Sequence, residues 1–357
     1  MSNQRSGLPP RQVQKQGSKG SNKKRKKTSG FKRFMQVFIA LLFTVIIAGG
    51  CYIGYLYATL DKALDEAGSD GVVAPENAAT VKPITFLLLG TDYRTETKTH
   101  LSDVVMVISM NPKTNSATIV SLPRDTKVQL DGYRSNKLNA YYPTFLSKEK
   151  KGGNPAKQEM KTMMSKYLDV PIDYTVVLNF QAFKDIVDAL KGVDVNVDAN
   201  MCYRDNADGT NINLKKGAQH LDGKEALDYV RYRKSNCKPK TAGSDDFSRN
   251  RRQNEVLNAL VDQAKSLNGV LGAADVIKAV GKNLSTDFEN QQMKNMISAY
   301  WDISKEDIHF VPVTGEWRSP YVYINKKQLG AAKQALKDEL AGVKPPENTK
   351  SNKANQK

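Results

Sequence analysis

Three histidines and three cysteines are all that the 357 residues offer to soft-metal or imidazole chemistry. His100, His220 and His309 stand far apart, with no second His or Cys at ligand spacing, so no zinc pattern is present. A Ser/His/Asp triad would have to recruit one of these three, and none has a distinguishing context. No Gly-x-Ser-x-Gly elbow occurs, and no second glycine followed by Lys-Ser/Thr comes after Gly90, so a P-loop is missing too. Acidic residues are absent before Asp61, although residues 1–60 carry 11 of the 54 Lys and Arg. Internal repeats are not seen.

What is present is a basic chain of net charge +17, 39% hydrophobic and 25% charged. That balance excludes a wholly disordered protein and a polytopic membrane protein. Residues 1–33 hold Gly, Ser, Gln, Asn, Pro and the run Lys23-Lys24-Arg25-Lys26-Lys27, and read as a disordered cytoplasmic tail. Phe34 to Tyr57 follows without a charge. As a helix it would be about 36 Å long at ~1.5 Å per residue, enough to cross a ~30 Å hydrocarbon core. The positive flank places the N-terminus in the cytoplasm and everything after Tyr57 outside, as a single-pass cell-membrane protein. A cleaved signal peptide would have a shorter apolar region, and Ala48-Gly49-Gly50-Cys51 is a poor lipoprotein box because apolar sequence continues beyond it. The basic tail beside a span is explained by topology and anionic lipid rather than by nucleic acid. Residues 58–82 form an acidic, Ala/Gly-rich tether, 83–340 one folded extracytoplasmic unit, and 341–357 a disordered tail.

Within the folded unit, Ile84–Leu89 reads as a strand buried on both faces and stopped by Gly90. Val104–Met110 and Ala117–Leu122 flank the turn cluster Asn111–Asn115 as a hairpin. Tyr174–Leu178 and Val193–Val197 bracket a helix over Phe180–Leu190, a strand–helix–strand unit. Helices are expected at 158–168, 223–231, 247–267, 274–280, 290–301 and 327–339, with a strand at 310–313. Strands mixed with helices throughout indicate an α/β fold, an α/β/α sandwich on a mixed central sheet, behind one N-terminal transmembrane helix. Cys202 and Cys237 both fall in the outward part, where a bridge would persist; a disulfide and two separate thiols stand as alternatives.

Three constellations could carry chemistry. Asp92 leaves the end of the first strand and Asp103 enters its antiparallel neighbour, which brings two carboxylates to one sheet edge. Paired carboxylates repel unless a cation joins them, and oxygen ligands favour Mg²⁺ or Mn²⁺; two turn-capping aspartates are the plainer reading. Arg124-Asp125 follows the third strand, with Lys137 and Asn139 beyond, and surface ion pairing accounts for each singly. The third is Arg231 and Arg233 at the end of a helix, then Asp246, Arg249, Arg251, Arg252 and Gln253. Asp246, Arg249 and Gln253 share one helical face. Glu255 is the only acid between Phe247 and Leu260, so most of this Arg charge lacks a local partner. Guanidiniums without carboxylates favour a multivalent anion such as pyrophosphate, against the alternative of a solvated basic face. Arginines and acids without a strong nucleophile suit phosphoryl transfer.

Six segments in order, Leu87–Asp92, Leu101-Ser102-Asp103, Ser121–Asp125, Lys137–Tyr141, Tyr229–Arg233 and Asp246-Phe247-x-Arg249-x-x-Arg252-Gln253, resemble the LytR-CpsA-Psr family of Gram-positive envelope proteins. The resemblance implies an α/β/α fold with an apolar channel for a polyprenyl chain. It implies a phosphotransferase that attaches an anionic glycopolymer (wall teichoic acid, capsular or related polysaccharide) from an undecaprenyl-pyrophosphate carrier to a MurNAc hydroxyl of peptidoglycan. By motif, Asp92 and Asp103 would hold Mg²⁺ or Mn²⁺, with one of them as general base, and Arg124, Arg231, Arg233, Arg249 and Gln253 would bind the pyrophosphate. Asp246 would orient the arginines, and Lys137 would touch polymer or phosphate. Many members carry Arg two positions before the second aspartate, where this chain has Leu101. A membrane-anchored regulator and a polyprenyl-pyrophosphate binder or hydrolase without ligase activity are the competing readings.

Overall fold

The computed structural model describes residues 71–94, 99–206, 209–244, 246–266, 275–278 and 284–343, with scattered positions between 44 and 69. Two units are distinct, residues 1–53 and 54–357, and the second holds all that follows. Among the described residues no helix is long and apolar enough to cross a membrane; most of the run from Phe34 to Tyr57, the expected tail 1–33 and residues 344–357 of the other expected tail lie outside the described residues.

In chain order, β1 (Ile84–Arg94), β2 (Thr99–Asn111) and β3 (Ser116–Ser121) form a meander, and β4 (Lys127–Leu130) with β5 (Tyr133–Lys137) a small hairpin. Helices α1 (Tyr141–Glu149) and α2 (Ala156–Leu168) lead to β6 (Tyr174–Asn179), α3 (Phe180–Ala189) and β7 (Val193–Val197). Next come β8 (Met201–Asp205), β9 (Thr210–Leu214), β10 (Gly217–Leu221), α4 (Gly223–Arg231) and the long α5 (Asp246–Lys265). Then follow β11 (Leu284–Thr286), α6 (Asn290–Tyr300), β12 (Ile308–Pro312), β13 (Gly315–Arg318), β14 (Tyr321–Ile324) and α7 (Lys326–Ala341).

Six strands make the central sheet in the order β11-β6-β1-β2-β3-β12. β6 and β12 run parallel to their neighbours β1 and β3, and the other pairings are antiparallel, so the sheet is mixed. The period-two alternation of its strands serves two cores. Leu87, Leu89, Val105, Val107 and Val120 pack on one face against Tyr141, Phe145, Met160, Met163 and Leu336 of α1, α2 and α7. On the other face Ile84, Phe86 and Val176 meet Phe288 and the α6 methionines Met293 and Met296. A further core joins β7, β10 and the β8–β9 hairpin to α4 and α5 through Val193, Val195, Ile212, Leu221, Tyr229 and Val256. The expected strand–helix–strand unit is present as elements, but its strands part company: β6 joins the central sheet while β7 pairs with β10.

Gly90 does not stop the first strand. β1 continues to Arg94, and the register shifts between Gly90 and Thr91, with Gly90 opposite Val104 and Thr91 opposite Ser102. Asp103 is therefore the extra residue of a β-bulge, the device that re-aims a side chain out of the ladder. Glycine is required there because a Cβ at position 90 would lie 2.9 Å from Val104 Cβ.

Candidate anion site at the mouth of an apolar cavity

A cavity of about 410 Å³ lies between the sheet, helices α3, α4 and α5, and the β8–β9 hairpin. Its body is apolar: Leu88, Val104 and Met106 from the sheet, Phe183 and Ile186 from α3, Leu227 and Val230 from α4, and Val256, Leu257 and Leu260 from α5. Asp103, Arg124, Arg231, Arg233, Arg249 and Gln253 also line it. A single space thus joins hydrocarbon walls to a cluster of guanidiniums.

Each arginine is delivered by a different local device. Arg124 sits in the turn after β3, which is closed by Thr126 N–H to the Pro123 carbonyl (3.0 Å) and tied by Asn139 N–H to the Arg124 carbonyl (2.9 Å). Its Nη1 donates to Asp103 Oδ1, and its Nε lies 3.5 Å from Asp125 Oδ2. Arg231 ends α4, a helix started by the capping box Asp222/Glu225, and its guanidinium lies 4.7 Å above the Phe180 ring. The extended chain then alternates. Tyr232 turns inward, buried, with its hydroxyl on Thr241 Oγ1 (2.8 Å) and the Ala242 carbonyl (2.7 Å), so Arg231 and Arg233 reach the cavity on either side of it. Cys202 and Cys237 are joined, which resolves the alternatives in favour of the disulfide and ties β8, a wall of the cavity, to the segment just beyond Arg233.

Arg249 and Gln253 lie one turn apart on α5 and both line the cavity. Burial first, then the neighbouring Arg233 and Arg124, pushes the Arg249 guanidinium down to about 10. Burial and Arg124 lower Arg233 as well. Cations that depress one another define a field waiting for an anion.

Between Phe247 and Leu260 the arginines of α5 have no acid but Glu255, and two of them find a distant one. Arg252 is buried, with Nε and Nη2 each 3.0 Å from the Asp198 carboxylate and Nη1 donating to Ser244 Oγ (2.9 Å) and the Tyr232 carbonyl (3.3 Å). Arg251 also donates to Asp198 (2.5 Å). The partner comes from 54 residues upstream, beyond the reach of any local count. Lys137 does not line the cavity. Its Nζ donates to Asp125 Oδ1 (3.0 Å) and lies 5.5 Å from the Trp317 ring centre.

Asp92 is not at a strand end: it lies inside β1, opposite Leu101 and one position from the bulge. Its side chain and that of Asp246, at the start of α5, lie outside the described residues. Among the described residues no three His, Cys, Asp or Glu gather about one point. A hard divalent cation that keeps waters and phosphate oxygens needs only one or two carboxylates from the protein, and Asp103 at the cavity supplies one such donor. The residues present fit that kind of ion. Phe180, Tyr203 and Asp198 are site or support residues that the sequence did not disclose; arginines lacking a local acid were the only hint of the last.

An α/β fold on a mixed sheet, with an apolar cavity opening on clustered arginines, defines a protein built to hold an amphiphilic anion. The LytR_cpsA_psr family profile matches residues 53–338, and the chain belongs to that family. It is 34% identical over 321 residues to the polyisoprenyl-teichoic acid–peptidoglycan teichoic acid transferase TagU of Bacillus cereus (strain AH820), covering 87% of this chain and 97% of that one. To the corresponding TagT of Bacillus subtilis (strain 168) it is 30% identical over 337 residues, 89% of this chain and 98% of that one. Among solved structures it is similar to B. subtilis TagV, with TM-score 0.56 and 29% identity over 74% of this chain and 99% of that one. It is also similar to TagT bound to LI-WTA, with TM-score 0.54 and 27% identity over 76% and 94%.

Proposed function

We propose that the protein is a phosphotransferase that attaches a teichoic acid or related anionic glycopolymer, carried on a polyprenyl pyrophosphate, to a MurNAc hydroxyl of peptidoglycan. The observation that carries this reading is the union of one apolar cavity with four arginines, Arg124, Arg231, Arg233 and Arg249. A membrane lipid with a diphosphate head matches both halves, and the TagU and TagT relatives are named for transferring teichoic acid from a polyisoprenyl carrier to peptidoglycan. The run 34–57 is the membrane span of this reading, with the catalytic unit outside the cell, where both lipid carrier and peptidoglycan are reached.

Arg124, Arg231, Arg233, Arg249 and Gln253 bind the pyrophosphate oxygens. Because they are fixed beforehand, they meet the charge that develops on the departing phosphate with little reorganisation. Phe183, Ile186, Val256 and Leu257 exclude water around the first prenyl units. The MurNAc hydroxyl oxygen bonds to the sugar-bearing phosphorus, the bond from that phosphorus to the bridging oxygen breaks, and polyprenyl phosphate leaves with the electron pair. The hydroxyl proton passes to a carboxylate, Asp103 at the cavity or, by the family motif, Asp92. Asp92 and Asp103 would hold Mg²⁺ or Mn²⁺, which when bound supplies charge neutralisation on the diphosphate. By the family motif, Asp246 would orient the arginines.

The test is Asp103→Asn in the full chain, in detergent, with a pyrophosphate-linked saccharide and soluble peptidoglycan. Arg124 keeps Asp125 but loses its carboxylate partner at the bulge, and the bulge loses its base, so transfer falls by at least about 100-fold, the scale expected for loss of a general base. Wild-type turnover by this variant would reject the assignment of Asp103.

A further inference from the structure

The β13–β14 hairpin carries a tryptophan left in water. Trp317 is 55% exposed, and all four residues of β13 are exposed. The hairpin is nevertheless pinned. Val322, opposite Trp317, is buried, its N–H donates to the Asp125 carbonyl (2.8 Å), and it bridges Thr126. Gly315 has no room for a side chain, since a Cβ would lie 2.4 Å from the Tyr323 carbonyl oxygen. A rigid, solvent-facing indole is a feature of recognition surfaces rather than of cores.

Its surroundings lead back to the anion site. Lys137 Nζ lies 5.5 Å from the indole centre and 3.0 Å from Asp125 Oδ1, and Asp125 Oδ2 is 3.5 Å from Arg124 Nε. Trp317, Lys137, Asp125 and Arg124 are thus successive neighbours, and of the four only Arg124 lines the cavity. Tyr321 and Tyr323 are held under cations as well, Lys127 lying over both rings at 5.5 and 5.3 Å and Arg318 over Tyr323, but those cations are not linked to Arg124 through Asp125 as Lys137 is.

We propose that Trp317 and Lys137 form the landing site for the acceptor, a pyranose glycan strand of peptidoglycan; this rests on the transferase reading above. In-line displacement places nucleophile and leaving group on opposite sides of the phosphorus. The polyprenyl phosphate leaves toward the apolar cavity, so the acceptor hydroxyl arrives from the side away from it. Trp317 and Lys137 stand off the cavity and lead to it through Asp125 and Arg124. The indole offers a face to the C–H side of a sugar ring and Lys137 a positive partner for the strand's carboxylates, while buried Asp125 links Lys137 to Arg124. A polyol-phosphate chain has the charge but no ring to stack.

Trp317 is one of two tryptophans, so Trp301→Phe leaves it as the sole indole reporter in the full chain. Titration with soluble, uncrosslinked peptidoglycan strands is expected to change its fluorescence saturably, while polyglycerol phosphate at equal charge leaves it unmoved. In transfer assays Trp317→Ala raises the KM for the strand about tenfold, the worth of one aromatic contact, with far less effect on kcat. Trp317→Phe restores most of the affinity, and polyprenyl-pyrophosphate binding by Trp317→Ala stays at the wild-type level. No response to the strand, equal response to polyglycerol phosphate, or an unchanged KM would overturn the landing site. Strand binding through Trp317 in a wild-type protein unable to turn over the donor would support the landing site and reject the transferase reading.

Discussion

Replacing Arg249 by Met isolates the electrostatic work of assembling the anion site without its anion. The guanidinium is held at about 10 rather than 12.5, by burial and then by Arg233 and Arg124. At 1.36 kcal/mol for each factor of ten, that is roughly 3 kcal/mol. The folded value lies below the unfolded one, so at neutral pH, where both states are charged, the charge opposes folding. The penalty fades only as pH climbs from about 10 toward 12.5. Met keeps an unbranched apolar stem, and lost hydrogen bonds cost about 1–2 kcal/mol. The net gain is on the order of 1–2 kcal/mol, worth about 2–4 °C in Tm per kcal/mol for a domain of this size. The same change removes a charge-assisted contact of ~1.5–3 kcal/mol, so affinity for polyprenyl pyrophosphate falls about 10- to 100-fold. Differential scanning fluorimetry with and without that lipid reads both effects. The variant melts higher without ligand and gains less from it than the wild type. A variant that melts lower without ligand would refute the reasoning, because Arg249 would then be a structural tie.

Asp198→Ala leaves Arg252 buried without its carboxylate and is expected to cost ~3–5 kcal/mol in urea unfolding. The double change Asp198→Leu with Arg252→Met recovers most of that loss; equal losses in both would show that the charge pair is not the cause. Leu257→Trp fills part of the cavity, so affinity for a long prenyl pyrophosphate falls at least about tenfold. Inorganic pyrophosphate still binds that variant, as calorimetry with the two ligands would show. His220 has Asp194 Oδ1 at 2.8 Å and the Lys191 carbonyl at 2.7 Å, which together raise its pKa above 6.5, Asp194 most. Its contribution to stability is therefore complete below 6.5 and is lost as pH rises through the folded value; melting scans across that window should slope downward, and His220→Gln should flatten them.

Much of this was legible because the local signals were strong. β-branched runs on either side of Asn111–Asn115 gave the β2–β3 hairpin, and Phe183, Ile186, Val187 and Leu190 at helical spacing gave α3. The helix over Gly223–Arg231 matched at both ends. Gly90 misled because glycine is ordinarily read as punctuation, whereas here the missing Cβ admits Val104 and makes the bulge. The β8–β9 and β13–β14 hairpins escaped because each pairs a strand of four or five residues with one that is largely polar, Thr210–Leu214 or Gly315–Arg318, and neither carries the clean Val alternation that revealed β7. The cavity arginines were visible as charge, but which of them faced a carboxylate was not. That depended on Asp198, brought to α5 by the packing of β7 and α5 in one core.

Arg249 and Arg252, three residues apart on α5, show why charge alone does not mark a binding site. Arg252 is neutralised by Asp198 and holds α5 against the carbonyl of Tyr232, the residue between Arg231 and Arg233. One buried ion pair thus fixes the helix bearing Arg249 and the segment bearing Arg231 and Arg233 to each other. Arg124 is fixed separately, by the turn closed at Thr126 and the bond from Asn139. None of these backbones can swing away to relieve the repulsion felt at Arg249. A flexible cluster would disperse in the absence of its anion and would have to be gathered at the expense of binding energy. Here that work is done during folding, so in the proposed transfer the attraction to a diphosphate remains available to the charge that grows on the leaving phosphate.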